Sequence, residues 1–441
     1  MKSVFKIFLF SGVALICFSA DAVTIDEKNN TQSAPVLVVE EEVVEEVVIA
    51  EMPTVEKAPK KRAGWVKQAQ HHHQKHAKKN PQTAVEKMEK GYADFKTNLQ
   101  NKMGLEYSMD VSLLAQRGSP SGKGTSWQTI YTPSINWEMY DSKIGSGSLQ
   151  FLYSAVRYWG IDGNVLGDRI GVITPQNDYT AKDNYFYQLS YTHTLPGKLS
   201  PISFTVGQFP IFNFDGTAYD SNQQTNFINE ALSQNATDSY PTASLGGFVQ
   251  IAPNSEWTIA MGMQDAHNID GDKIETSTFG KHRYTSFASV SYTPTIEGWG
   301  TGEYSVLVYH QPSTNEQPTD SNGWSLNMMQ NFGKVGLFGR INGVSKGESI
   351  KQSYVAGAVY NNPLGRNALD QIGVALVWNK LNQNINGEGT RGDEKIIEAY
   401  WAWGFTNFLT ITPDIQFYYH PAGDRDEKTA TVASLRANLV F

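Results

Sequence analysis

The chain has 441 residues, 18% of them charged and 12% aromatic, and its 44 acidic residues outnumber its 36 basic ones to give a formal net charge of −8. That balance provides no basic footprint for a nucleic-acid partner. The single cysteine, Cys17, excludes a disulfide framework, and beyond the N-terminal run no apolar stretch reaches the ~18 residues of a membrane helix.

Lys2 and Lys6 precede the apolar run IFLFSGVALICFSA, and Ala20-Asp21-Ala22 offers a small-x-small cleavage site. Residues 1–22 therefore read as a secretory signal peptide that removes Cys17 with it. Residues 23–81 hold an acidic Val/Glu block at 36–51 and a basic block at 56–81 bearing His71, His72, His73 and His76. Charge segregation with interspersed prolines predicts a disordered, periplasmic segment. The basic block could instead hold an anionic wall polymer such as peptidoglycan, and the four histidines are too weak a pattern to assign a metal. Over 82–103, Val85, Met88, Tyr92, Phe95 and Leu99 recur at helical spacing. The stripe is shorter than the three to four heptads of a coiled coil, so this helix is expected to pack against itself in an oligomer or against the mouth of the next domain.

From Gly104 to Phe441 the texture is uniform, with strand-length alternating runs separated by Gly, Pro, Asn, Asp and Ser clusters. The runs, from 104–116 through to 429–441, make about sixteen antiparallel strands. Short links (141–145, 195–199, 252–254, 406–407) alternate with long ones (159–182, 210–242, 265–283, 311–322, 382–393), as in a barrel with short periplasmic turns and long outer loops. The last strands show two faces. Ile397, Trp401, Phe405, Ile411, Phe417 and Tyr419 share one parity, while Glu398, Thr410, Thr412, Asp414, Gln416, Arg436 and Asn438 share the other. An apolar band with aromatics at both ends suits lipid, and the opposite face suits a wet lumen. The fold class is thus all-β: a transmembrane outer-membrane β-barrel at 104–441, preceded by a short helix and the disordered segment. Such a chain belongs in the outer membrane of a Gram-negative bacterium, against lipid and lipopolysaccharide. Arg157, on lipid parity near an outer strand end, is expected to touch lipopolysaccharide or mark a bulge.

The stretch EKIIEAYWAWGFTNFLTITPDIQFYYHPAG (394–423), followed by VASLRANLVF, resembles the closing strands of the carbohydrate-selective porins of the OprB type. ISFTVGQFPIFNFDGTAYDSNQQTNFINEAL (202–232) is similar to that family's strand and long loop leading into a short helix. The resemblance covers roughly 104–441 and leaves out 23–103. It implies a barrel of this size that passes small sugars by diffusion through a constricted pore. The terminal Phe441 resembles the signal by which barrels are handed to the outer-membrane assembly machinery. A monomer and a homotrimer both remain open.

Candidate pore-lining and sugar-binding residues follow. Asn213, Asp215, Gln223, Gln224 and Asn226 lie in the long loop at 210–242, which either folds inward to narrow the lumen or caps the barrel outside. On the wall are Arg340, Glu398, Asp414, Gln416, Arg436 and Asn438, read either as an ion-pair network within the wall or as part of a selective eyelet. Enzyme motifs are poor. Gly343 to Gly347 fits G-x-S-x-G but at a strand–loop–strand corner, GSPSGKG (118–124) lacks the spacing of a phosphate loop, and Ala266 stands where a calcium loop needs its first carboxylate. No catalytic residue, metal or cofactor is assigned. The competing readings are a barrel that tethers the membrane to peptidoglycan through the basic block and a barrel-embedded lipid hydrolase.

Overall fold

The computed structural model describes residues 83–120 and 124–441. The signal, the acidic and basic blocks and their histidines lie outside these residues. Helix α1 (Ala84–Met103) opens on a capping box in which Thr83 and Glu86 satisfy each other's backbone amides, and it closes on Gly104 in the left-handed region. The strands follow: β1 (Leu105–Ser119), β2 (Ser126–Ser142), β3 (Gly145–Gly160), β4 (Asp183–Thr194), β5 (Ile202–Phe209), β6 (Ser244–Ile251), β7 (Trp257–Asp265) and β8 (Tyr284–Tyr292). After the two-residue β9 (Thr295–Ile296) come β10 (Gly300–Gln311), β11 (Ser321–Phe332), β12 (Val335–Val344), β13 (Ile350–Asn361), β14 (Gln371–Leu381), β15 (Asp393–Gly404), β16 (Leu409–Tyr419) and β17 (Thr429–Val440). Short helices α2 (Gly163–Ile170), α3 (Glu230–Ser233) and α4 (Gln383–Asn386) lie in the long loops.

The seventeen strands form one sheet. β9 pairs only with the start of β10, which leaves sixteen that cross. β17 closes on β1 in an antiparallel register that sets Arg436 opposite Leu114 and Asn438 opposite Ser112. Closure leaves no unpaired edge, the condition for a strand structure to span lipid. No helix among the described residues is long and apolar enough to cross a membrane.

The two parities separate as alternation requires. Ile397, Trp401, Phe417, Tyr419 and Leu435 are exposed outward, while Glu398, Thr412, Asp414, Gln416, Arg436 and Asn438 are buried inward. Arg157 lies on the outer side, where Val156 O, Asp183 O and the Asn184 side chain take its guanidinium, so it knits β3 to β4. Loop lengths follow the expected asymmetry with two departures around β13. The link 345–349 at the long-loop end is short, and 362–370 at the opposite end is longer than its neighbours there. In the latter, Arg366 stacks over the Trp403 ring at 4.1 Å and pairs with Asp370, which gives that turn a structural use.

Candidate functional site

Residues 210–243, which link β5 to β6, run inside the barrel. Their polar groups bond to inward side chains around much of the wall. The Arg340 guanidinium on β12 holds the Asp220 carboxylate, with Nη2 2.8 Å and Nε 3.0 Å from Oδ2, and both residues are fully buried. Glu398 on β15 accepts the backbone amides of Ile228 and Asn229. Arg436 on β17 donates to the carbonyls of Gln223 and Asn226, at 2.7 Å for the latter. Gln224 donates to Asp110 on β1 (3.0 Å), Gln223 to Gln128 on β2 (3.0 Å), and Tyr219 to Asn331 on β11 (2.6 Å). Such charge-assisted bonds to main-chain groups are the strong kind.

Apolar packing fixes the same segment. Tyr219, Phe227 and Leu232 join the inward Met329, Phe338, Val359, Val377, Tyr400 and Val432 in one buried cluster. Phe227 packs edge-on to Tyr400 at 4.8 Å between centroids. The wall makes room with glycine: a Cβ on Gly336 would clash with the edge of the Tyr219 ring. The segment 161–182 also turns inward. Glu394 on β15 accepts the amides of Ile173, Thr174 and Ala422, and Asn177 donates to Gln116 on β1 (2.6 Å).

The inner side of β13–β17 is therefore filled. This corrects the expectation that Glu398, Gln416 and Arg436 face a wet lumen, because the two infolded segments bond to them; Asp414 and Asn438 are buried beside them on the same wall. Arg340 pairs with Asp220 of the loop, whereas Glu398, Asp414 and Arg436 interact with one another on neighbouring strands while Glu398 and Arg436 also hold main-chain groups of the loop. Among the described residues, the Thr412 hydroxyl and the Asn438 Oδ1 are buried without a hydrogen-bond partner.

Open space lies on the other side. A cavity of about 480 Å³ is bordered by the loop and by the inner faces of β7, β8 and β10. Of the residues read from the sequence, Arg340, Asn213, Asp215 and Gln224 border it, whereas Gln223, Asn226, Glu398, Asp414, Gln416, Arg436 and Asn438 do not. Its strand wall is a ladder of small hydroxyls, Thr258, Ser289, Ser291, Thr293 and Ser305, that sequence reading did not single out. The signal was present, since Thr285, Ser289, Ser291 and Thr293 share one parity. Tyr179, Tyr187, Phe212 and Phe214 also border the cavity, with Tyr187 edge-on to Phe212 at 5.3 Å and Phe214 packed on Phe287 of β8 at 4.8 Å.

Among the described residues, four carboxylates border the cavity, Asp178, Asp215, Asp220 and Glu303, against the one guanidinium of Arg340. Asp220 is neutralised by that arginine. Asp215 is held by Asn327 (2.7 Å) and Asn235 (2.9 Å), and Glu303 by the Ala218 amide (2.9 Å). Burial lifts the Asp178 carboxyl to about 7 against the pull of Arg340. The Asn213 Oδ1 has no hydrogen-bond partner among the described residues.

A closed barrel with an apolar outer belt, and with a polar interior gated by an infolded loop, defines an outer-membrane porin. The family model described as "carbohydrate-selective porin, OprB family" matches residues 275–441. Porin AaxA of Chlamydia pneumoniae is 36% identical over 356 residues, covering 78% of this chain and 81% of that protein. Porin AaxA of Chlamydia trachomatis serovar D is 33% identical over 372 residues, with 79% and 80% covered. The high-pH structure of Pseudomonas putida OprB has the same fold at a TM-score of 0.65 and 14% identity, covering 79% of this chain and 97% of that one. The chain belongs to the OprB family of porins, in the outer membrane of Gram-negative bacteria.

Proposed function

We propose that the chain is a passive channel for small sugars, with the cavity between the infolded loop and β7–β10 as its narrow point. The observation that supports this is the mix of surfaces around that cavity. Hydroxyls on the strand wall match sugar hydroxyls, aromatic rings also on its border match the C–H faces of a pyranose, and Asp215, Asn213 and Glu303 provide acceptors. The family's description as carbohydrate-selective agrees with the reading. Conductance of single channels of the purified protein in planar bilayers, titrated with sugars, tests it. Saturable block supports the proposal, and a conductance indifferent to every sugar sinks it.

A second reading has its own observation. Among the described residues the bordering carboxylates exceed the single arginine, and such a field favours cations. On this reading a small organic cation passes in preference to a neutral sugar of the same size. Reversal potentials in gradients of organic cations, set beside sugar block, separate the two. In either case Phe441 and the outward belt serve assembly-machinery and lipid contacts, and residues 23–81 are not needed for the channel.

A further inference from the structure

Helix α1 docks on the barrel with its polar side. Its buried residues are Glu89, Ala93 and Lys96, while Met88, Phe95 and Val85, from the apolar stripe, are 65%, 54% and 45% exposed. The reason lies in the rim it meets. The Glu89 carboxylate accepts the backbone amide of Asn407 (2.9 Å) and its side-chain amide (3.1 Å) in the turn between β15 and β16. The Lys96 ammonium lies over the rings of Tyr92 and Tyr107, and Tyr92 meets Phe408 edge-on at 5.6 Å.

These contacts orient the helix. Gln100 bonds to Glu106, which shares the inward parity of Ser108 and Asp110. Lys96 covers Tyr107 and Met103 O accepts Trp137 Nε1 (3.1 Å), and both aromatics share the parity of the outward Met109 and Ile135. At about 100° per residue, moving around the helix from Gln100 to Lys96 and Met103 leads from the lumen side to the lipid side. The next sector in that direction is Met88 and Phe95. Lys90, Asp94 and Asn101 point the opposite way, towards water. The exposed apolar flank thus lies on the lipid-facing side of the barrel, which the helix meets at Trp137 through Met103.

We propose that α1 is an interfacial helix whose Val85, Met88 and Phe95 flank is embedded in the periplasmic phospholipid leaflet of the outer membrane. Three sectors then meet three media, barrel, lipid and water, as in helices that lie in an interface plane. The rival occupant of this flank is a second copy of the chain.

The test uses the full chain with Cys17→Ser, carrying a single cysteine at Phe95→Cys or, on the water side, Asn101→Cys. Each is labelled with an environment-sensitive fluorophore and the protein is reconstituted in phospholipid vesicles. Nitroxide lipids with the spin label near the headgroup should quench the residue-95 label severalfold more than the residue-101 label, and aqueous iodide should show the reverse order. Equal iodide quenching at both positions with no lipid quenching overturns the proposal. So does a residue-95 label shielded from both quenchers in a protein that forms disulfide-linked copies. A Met88→Glu/Phe95→Glu variant provides a second measurement. It should keep the wild-type conductance yet expose α1 to faster proteolysis in vesicles, and an unchanged cleavage rate would count against lipid burial.

Discussion

Replacing Arg340 by Ala should detach the tip of the infolded loop. The guanidinium makes two bonds to the Asp220 carboxylate and another to its carbonyl, in a place where neither residue touches solvent. Removing one partner of a buried pair strands the other charge at a cost of about 3–5 kcal/mol. The stranded carboxylate can escape by taking a proton. The ceiling is therefore the work of protonating an ordinary aspartate, ~4 kcal/mol at pH 7 and ~1.5 kcal/mol at pH 5. Thr217, whose amide and hydroxyl bond to Asp220 Oδ1 at 2.6 and 2.7 Å, relieves part of it. A loss of ~3–4 kcal/mol raises the open population of the loop roughly 100- to 1,000-fold at pH 7. Hydrogen exchange of amides 217–229 in lipid nanodiscs reads that population directly, and single-channel traces should show excursions to a higher conductance. The effect should shrink as pH falls towards 5, because the orphaned carboxylate then protonates cheaply. Wild-type exchange rates in Arg340→Ala at pH 7 would refute the claim that this pair holds the constriction.

Deleting the central part of 210–243 should enlarge single-channel conductance and abolish saturable block by solute, whereas an unchanged conductance would put the narrow point elsewhere. Phe227→Ala empties the centre of the buried cluster, and at ~3–5 kcal/mol for a buried Phe it should speed loop exchange as much as the arginine change does, without its pH dependence. Asp178 has its carboxyl raised to about 7, so it is charged above that pH and neutral below. Cation preference measured from reversal potentials should therefore fall as pH drops through 7, and Asp178→Asn should flatten that step. A chain lacking 23–81 should assemble and conduct like the full one, as judged by heat-modifiable gel mobility and bilayer recordings.

The barrel was legible because each strand meets two media, and a period of two survives any detail of packing. Parity alone put Glu398, Gln416 and Arg436 on the inner side. What it cannot carry is the identity of the neighbour. Arg340 meets Asp220 across a sequence separation of 120, and nothing in GLFGRING distinguishes an arginine facing water from one facing a loop. The same gap explains the misplaced opening. The charged wall of β15–β17 attracted the assignment, while the ladder Ser289, Ser291, Thr293, made of small and unremarkable side chains, borders the space. In α1 the stripe was read as the packing face. The rim instead offers the amides of Asn407, which want a carboxylate, and so Glu89 turns inward.

The infolded loop also straddles the line where the barrel shuts. Gln224 is bonded to Asp110 on the first strand, and Arg436 on the last strand holds the carbonyls of Gln223 and Asn226 beside it. Glu398, which takes the next two amides, lies on a strand that is also among the last in the chain. The first and last strands thus grip the same stretch of loop from either side of the seam, in addition to the hold that Arg340 on β12 has on Asp220. Part of what fixes the aperture is therefore assembled from the two strands whose pairing completes the wall.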